Sequence, residues 1–337
     1  MSSEPFFIIN PNAQAGRIGK RLPQILDTIK QYFGEFQYEV TKERRSEVGI
    51  ARKAIEDGYK TLVAIGGDGT ATNTGDVVVE HPDVKLGLVA AGSMCDWHKT
   101  HSIPLDIEDA LALIVEGYSE KFPAMKCSGD HTFYSFDMAD GGFTGKAAAA
   151  AFYELKWLKL YGLKYNYLAL KYVLKSRNIP ATITIDNKEP IHVKDLTNAF
   201  ASLGDEIIGL KVFPSNAYYS LKNKDMCIAI VYGRKGFQRI SMLVQAINAK
   251  HLGGKGIWLT RGRKVTIETE EEPFVWEAEG EIFNEKSFKV TIELVDDAIN
   301  LIVPKEREYP HEYSEIIYQE KFEDTKKKRK LKNIKLK

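Results

Sequence analysis

The sequence predicts an α/β fold: a Rossmann-like parallel α/β domain over residues 1–120, then an antiparallel β-sandwich domain with a helical insertion over residues 121–305. Three observations carry this. The first 120 residues alternate short apolar runs with segments of helical spacing, the pattern of strand–helix units that build a parallel sheet covered on both faces. Beyond about Phe122, short alternating runs follow one another between turn residues, as antiparallel strands do. A glycine-rich loop, Gly66-Gly67-Asp68-Gly69-Thr70, falls directly after a strand and before a helix.

Taken in order, Phe6 to Ile9 is a strand and Leu22 to Phe33 has helical spacing; Phe36 to Val40 and Val48 to Asp57 repeat the unit. Thr61 to Ile65 is the third strand, followed by the glycine loop and a helix through Val79; Leu86 to Val89 and Ile107 to Glu116 complete the series. Ligands in such sheets sit at the carboxyl ends of the strands. Asn10, Thr41, Gly66 to Thr70 and Gly92-Ser93 all fall there, so they should share one rim. The later strands are expected at Thr132 to Met138, Ala181 to Ile185, Ala199 to Leu203, Met226 to Tyr232, Lys264 to Glu268, Phe274 to Ala278 and Phe288 to Leu294. Helical pattern interrupts them from Lys146 to Lys175 and from Phe237 to Lys250, and the end of the chain could pack back on the first domain.

Composition narrows the class. With 337 residues, 44% hydrophobic and 28% charged, the chain reads as a soluble globular protein of two domains or one large one. No run reaches the roughly 18 apolar residues of a membrane span, and the N-terminus lacks a secretory pattern. Cys95, Cys127 and Cys227 are widely spaced, which fits a reducing cytosol. The net charge of +1 hides a basic tail: Lys321 to Lys337 holds nine Lys/Arg and two Asp/Glu, about +7, leaving about −6 for the remainder. The charged C-terminal segment, residues 306–337, would attract anionic lipid or nucleic acid, or be a solvated tail with no dedicated partner. Nucleic acid ranks last among these, because no aromatic platform accompanies the tail.

In the glycine loop, successive amides beside the positive end of a helix can cradle an anion. Asp68 would repel phosphate unless a metal ion or a proton lay between them, so amides plus one carboxylate suggest nucleotide phosphates with Mg²⁺. A tight strand-to-helix turn, with Asp chosen for turn propensity, stands as the equal alternative for the loop taken alone. Asp96 reads equally as a helix N-cap. Glu281 lies in an acidic stretch from Glu268, and Thr41 and Ser93 are plain loop hydroxyls on their own residues.

Six motifs in order give the chain a resemblance to the diacylglycerol kinase catalytic family, which includes bacterial lipid kinases and sphingosine and ceramide kinases and is distantly related to NAD kinases. They are Asn10-Pro11-Asn12-Ala13-Gln14-Ala15-Gly16, Gly66 to Thr70 as the GGDGT signature, Gly92-Ser93-Met94-Cys95-Asp96 with Ile103-Pro104, Asp137 to Phe143, Phe213 to Ala217, and Glu279-Gly280-Glu281 in place of D-G-E. The resemblance implies an enzyme that passes the γ-phosphoryl group of ATP to a lipid hydroxyl, diacylglycerol or similar, with Mg²⁺. It implies nucleotide contacts at Asn10, Thr41, Gly66, Gly67, Asp68, Gly69, Thr70 and Ser93, Mg²⁺ organised by Asp68 and Asp96, and Glu281 as proton acceptor. A structural Mg²⁺ at Asp225 is a weaker implication, since that segment is displaced from the family pattern. Where the family has Asn, the chain has Thr72 and Cys95, and the Asp of D-G-E is Glu279. The expectation is a cytoplasmic lipid kinase of phospholipid metabolism, peripheral to the membrane, in transient contact with a lipid substrate at its surface. A kinase acting on NAD and a non-catalytic nucleotide- or lipid-binding module are the alternatives, and a homodimer is left open. The aromatic and lysine residues between Lys146 and Lys175 read first as a helix covering its own sandwich, with its ends touching membrane.

Overall fold

In the computed structural model the described residues are 4–92, 94–153, 161–207, 210–213, 216–247 and 255–307. The first part contains strands β1 (Phe6–Ile9), β2 (Gln37–Val40), β3 (Thr61–Gly66) and β4 (Lys85–Ala90), with helices α1 (Ala13–Phe33), α2 (Ser46–Glu56), α3 (Asp68–Val78), α4 (Asp96–Thr100) and α5 (Ile107–Glu116). The strands pair in parallel in the order β2-β1-β3-β4. The order reverses at β1, since the chain leaves β1 for β2 on one side and returns to β3 on the other. Right-handed crossovers in opposite directions put helices on opposite faces, and α1 accordingly packs with α5 while α2 packs with α3. Phe7, Ile9, Leu62, Val63, Leu86 and Val89 are fully or almost fully buried between them. Buried on both faces, β1, β3 and β4 read as continuous apolar runs.

The second part contains β5 (Ser119–Ser128), β6 (Thr132–Ser135), β7 (Met138–Gly142), α6 (Phe143–Tyr153), α7 (Tyr161–Lys175), β8 (Ile179–Ile185), β9 (Ile191–Ser202), β10 (Glu206–Ile207), β11 (Leu210–Lys211) and α8 (Asn216–Asn223). It continues with β12 (Met226–Tyr232), α9 (Phe237–Ile247), β13 (Ile257–Gly262), β14 (Lys264–Thr269), β15 (Trp276–Ala278), β16 (Glu281–Asn284) and β17 (Lys289–Ile302). The order β16-β15-β7-β9-β8-β14-β17 is antiparallel throughout, with β12 and β13 branching from β9 and β5 and β6 from β17. Their inward residues, Trp276 and Phe283 among them, make a second core. The mixed α/β class is the one the sequence predicts.

β17 joins the two parts. Its first half pairs with β14, and its end runs parallel to β4 through Asn300 and Leu301. Ile299, Leu301 and Val303 accordingly lie in the first core, not the second.

Several boundaries differ from the sequence reading. Helix α1 begins at Ala13 and runs through Pro23, where helical spacing alone starts it at Leu22. The run Thr132 to Met138 is two strands broken at Phe136-Asp137, and β5, β13 and β16 went unread.

Candidate active site

Asn10, Thr41, the Gly66 to Thr70 loop and Gly92 follow the carboxyl ends of β1, β2, β3 and β4, so the expected rim forms. The glycine loop sits at the β1/β3 reversal, where ligands of open parallel sheets bind. Its glycines are required for reasons the sequence left open. Neither Gly66, Gly67 nor Gly69 has a positive φ, so none serves a left-handed turn. A Cβ on Gly66 would lie 2.4 Å from Thr70 Oγ1, and one on Gly92 would lie 2.4 Å from the Cα of Gly67. The Gly67 and Gly92 backbones therefore stack directly on one another, while Gly66 makes room for the Thr70 side chain. Gly69 differs, because a Cβ there meets nothing within 4 Å. It faces open space, beside the first-turn amides of α3 and the positive end of that helix.

Side chains tie the rim together. Asn10 donates from Nδ2 to Thr70 Oγ1 at 2.9 Å, and its Oδ1 accepts from the Asn12 amide at 3.0 Å. Thr70 Oγ1 donates in turn to Glu47 Oε1 at 3.4 Å. The Thr70 hydroxyl thus has protein partners on both sides, Asn10 and Glu47. Asn10 thereby pins the loop. Thr41 is buried, its amide bonded to Ile9 O at 2.9 Å. Gln14 Nε2 reaches Gly92 O at 3.2 Å, fastening the Asn10 to Gly16 loop to the loop after β4. Ser93 lies outside the described residues.

Asp68 and Asp96 begin α3 and α4, and the structure brings them together. Asp68 Oδ1 accepts the Trp97 amide at 3.2 Å, at the start of the short helix that Asp96 opens. Burial and then the Asp96 charge push the Asp68 carboxyl above its usual range. Asp96 is not an N-cap: Cys95, left-handed at φ 53°, holds that place, and the Asp96 carboxylate pairs with Lys99 at 2.9 Å. Lys99 also reaches Glu206 at 3.1 Å.

Two carboxylates in mutual repulsion at the mouth of an amide-lined loop are a donor set that a hard cation relieves. Among the described residues no group of three His, Cys, Asp or Glu side chains could hold a metal unaided. The pair fits a cation that arrives with phosphate oxygens of its own. Asp225 does not fit one. Its carboxylate pairs with Arg261 Nε at 2.6 Å, so the structural metal expected there has a guanidinium in its place.

Glu281 reaches this rim from the second part, by way of a hairpin. Ala278 pairs with Glu281, leaving Glu279 and Gly280 as a two-residue turn with φ 48° and 85°. Positive φ at both positions is the type I′ turn that Asp-Gly favours, which gives the D-G-E pattern a backbone reason. Glu281, the first residue past the turn, meets Arg44 from the β2–α2 loop. Arg44 Nε donates to Oε1 at 3.2 Å and Nη2 to Oε2 at 2.8 Å, with Nη2 also 3.2 Å from Gly280 O.

Glu279 turns the other way, into the protein. Its Oε1 accepts from the amides of Phe136 (2.8 Å) and Asp137 (2.6 Å) and from Ser135 Oγ (3.0 Å). Burial nevertheless pushes this carboxyl up to about 7. The Thr72 side chain also faces it. Two departures from the family pattern thus stand opposite one another, a shorter Thr for Asn and a longer Glu for Asp. Asp137, fully buried beside Glu279, accepts from Thr100 Oγ1 at 3.0 Å, and burial first, then Glu279 and Asp96, raise its pKa well above the ordinary value.

Arg44 and Glu47 were missed as site residues. Arg44 sits in an unremarkable charged run, Lys42 to Arg45, and only the fold shows that this run ends at the rim. Glu47 falls on the inward face of α2, where a charge is rare without a partner. A single acid on the apolar face of a predicted helix is the signal that could have found it.

Residues 4–127 match the family model for the diacylglycerol kinase catalytic domain. Over 136 residues the chain is 27% identical to a diacylglycerol kinase of Staphylococcus carnosus (strain TM300), covering 40% of this chain and 44% of that protein. It is 30% identical over 136 residues to a diacylglycerol kinase of Staphylococcus aureus (strain bovine RF122 / ET3-1), covering 40% and 42%. The matches thus span less than half the length of these curated relatives. A crystal structure of a diacylglycerol kinase from Bacillus anthracis str. Sterne shares the fold, with a TM-score of 0.63 at 17% identity over 90% of this chain and 99% of that one. The motifs and the geometry of the rim agree with the match of residues 4–127 to the diacylglycerol kinase catalytic domain.

Proposed function

We propose that the protein is an ATP-dependent, Mg²⁺-assisted kinase that transfers the γ-phosphoryl group to a lipid hydroxyl, diacylglycerol or a similar alcohol. The observation that carries this reading is the meeting of Glu281 with the nucleotide-side rim, through the fork it shares with Arg44. Phosphoryl transfer is chiefly positioning and charge stabilisation, with a base to accept the hydroxyl proton. The amides around Gly67 to Gly69 would hold the phosphates at the positive end of α3. Asp68 and Asp96 would hold Mg²⁺, which supplies neutralisation of the charge on the phosphates. Glu281 takes the proton of the acceptor hydroxyl. Arg44 holds that carboxylate at the rim through the fork.

Among the described residues no helix is long and apolar enough to cross a membrane. In this reading the lipid is met at a membrane surface, in transient peripheral contact. Incubation with labelled ATP, Mg²⁺ and a panel of dispersed lipid alcohols, with NAD alongside, tests the reading by product mass. A phosphorylated lipid supports it. Phosphorylated NAD, or ATP binding with no product on any acceptor, contradicts it.

A further inference from the structure

Among the described side chains of helix α7, some apolar residues are buried in the fold and others stand exposed. Leu168 and Val173 are fully buried. Tyr167, Leu170 and Leu174, spaced by three and four residues, form a stripe along the helix, and these side chains are 60%, 48% and 45% exposed. Phe237, the first residue of α9, is 83% exposed, the highest value among the large exposed hydrophobic side chains. The two helices pack together, and the clamp between them is Arg239. Its buried guanidinium donates to Val173 O at 2.9 Å and Ser176 O at 2.6 Å, the carbonyls at the end of α7, and to Arg234 O at 3.0 Å. This ties the start of α9, and Phe237 with it, to the end of the α7 stripe.

The charge carried by these segments themselves has one sign. No Asp or Glu occurs from Tyr161 to Ile185 or from Met226 to Ile267. Lys175, Arg177 and Lys235 are exposed at the ends of the two helices. Helices with projecting Tyr, Leu and Phe, exposed cations at their ends and no acid of their own match a bilayer interface, where rings and aliphatic chains enter the acyl boundary and cations meet anionic headgroups. A protein partner would be expected to call for acids or hydrogen-bonding groups in the rim as well. The face also lies near the chemistry, since α7 packs on α6 and α6 on β15 and β16, the hairpin that presents Glu281.

We propose that Tyr167, Leu170, Leu174 and Phe237 form a docking face that seats the protein on an anionic lipid bilayer. This deepens the lipid-kinase reading and rests on it for its purpose, though not for its test. In co-sedimentation of the full chain with phosphatidylcholine vesicles, with or without phosphatidylglycerol, the wild type binds the anionic vesicles and salt weakens the binding. The variant Tyr167→Ser/Leu170→Ser/Leu174→Ser/Phe237→Ser loses at least tenfold in partitioning, and Lys175→Glu/Lys235→Glu loses the preference for phosphatidylglycerol. Both variants keep the wild-type melting temperature and wild-type turnover on an acceptor dispersed in detergent. The proposal is overturned if the serine variant sediments like the wild type, if neutral vesicles bind as well as anionic ones, or if the serine substitutions change only the oligomeric state. Loss of vesicle binding in a protein that phosphorylates no lipid would sink the kinase reading and leave the docking face standing. Lipid phosphorylation with unchanged vesicle binding in both variants would do the reverse.

Discussion

Replacing Glu279 with Gln should flatten part of the pH dependence of stability. The Glu279 carboxyl titrates at about 7 in the fold, against 4.5 for an ordinary Glu, with burial as the largest cause. Between those pH values the folded protein binds more protons at this site than the unfolded chain does. Stability therefore falls as pH rises through that window: the contribution is fully present below about pH 4.5 and lost once pH passes about 7. The loss is about 3 kcal/mol at 1.36 kcal/mol per pH unit of displacement. Gln at 279 keeps an oxygen for Ser135 Oγ and the amides of Phe136 and Asp137, so the three donors are not stranded. It also removes a charge that helps raise the neighbouring Asp137 and Glu277 carboxyls. Weaker, uncharged hydrogen bonds offset about 1 kcal/mol of the gain. Urea unfolding at several pH values should show Glu279→Gln about 2 kcal/mol more stable than wild type at pH 8 and no more stable at pH 4.5. A wild-type–variant difference that is the same at both ends of the range would refute the reasoning.

Glycine substitutions separate folding from ligand contact at the rim. Gly92→Ala puts a methyl 2.4 Å from the Gly67 backbone, so it should cost about 3 kcal/mol or more, read as a lowered urea midpoint. Gly69→Ala meets nothing and has no positive φ, so its urea midpoint should stay within about 0.5 kcal/mol of wild type while the KM for ATP rises at least tenfold. The Arg44–Glu281 fork is partly exposed, at 42% and 12% of the two side chains, so a double-mutant cycle with Arg44→Ala and Glu281→Gln should give a coupling of about 1 kcal/mol. A coupling near zero would mean that the pair does not join the two parts in solution.

The parallel sheet was legible because β1, β3 and β4 are buried on both faces and its helices carry one apolar face each. Helix α5 was read to the residue: Asp106 caps it through the Glu108 and Asp109 amides and Gly117 ends it left-handed, both signals written in the sequence. Helix α1 was cut short because Pro23 usually marks a first turn, whereas here packing against the sheet and α5 carries the helix through it. The strand β5 escaped notice because Glu120, Lys121 and Lys126 interrupt its apolar alternation, and pairing along β17 supplies the ladder instead.

At the site the motif residues were legible and their partners were not. Asp68 and Asp96 were named, and their proximity follows from two loops that only glycine lets touch. Arg44 and Glu47 stand more than 200 residues from Glu281 in sequence, so the contact and the buried charge near it depend on the fold as a whole. The partners of Thr70, Asn10 and Glu47, are likewise distant in sequence and come from the fold.

The central claim is that Glu281 is the base for transfer from a nucleotide held at the Gly66 to Thr70 loop. Measuring ATP affinity and lipid phosphorylation side by side for wild type and Glu281→Gln tests it most directly. The account predicts ATP affinity within threefold of wild type and turnover reduced by about 10²–10⁴-fold. Near-wild-type turnover in Glu281→Gln would contradict it.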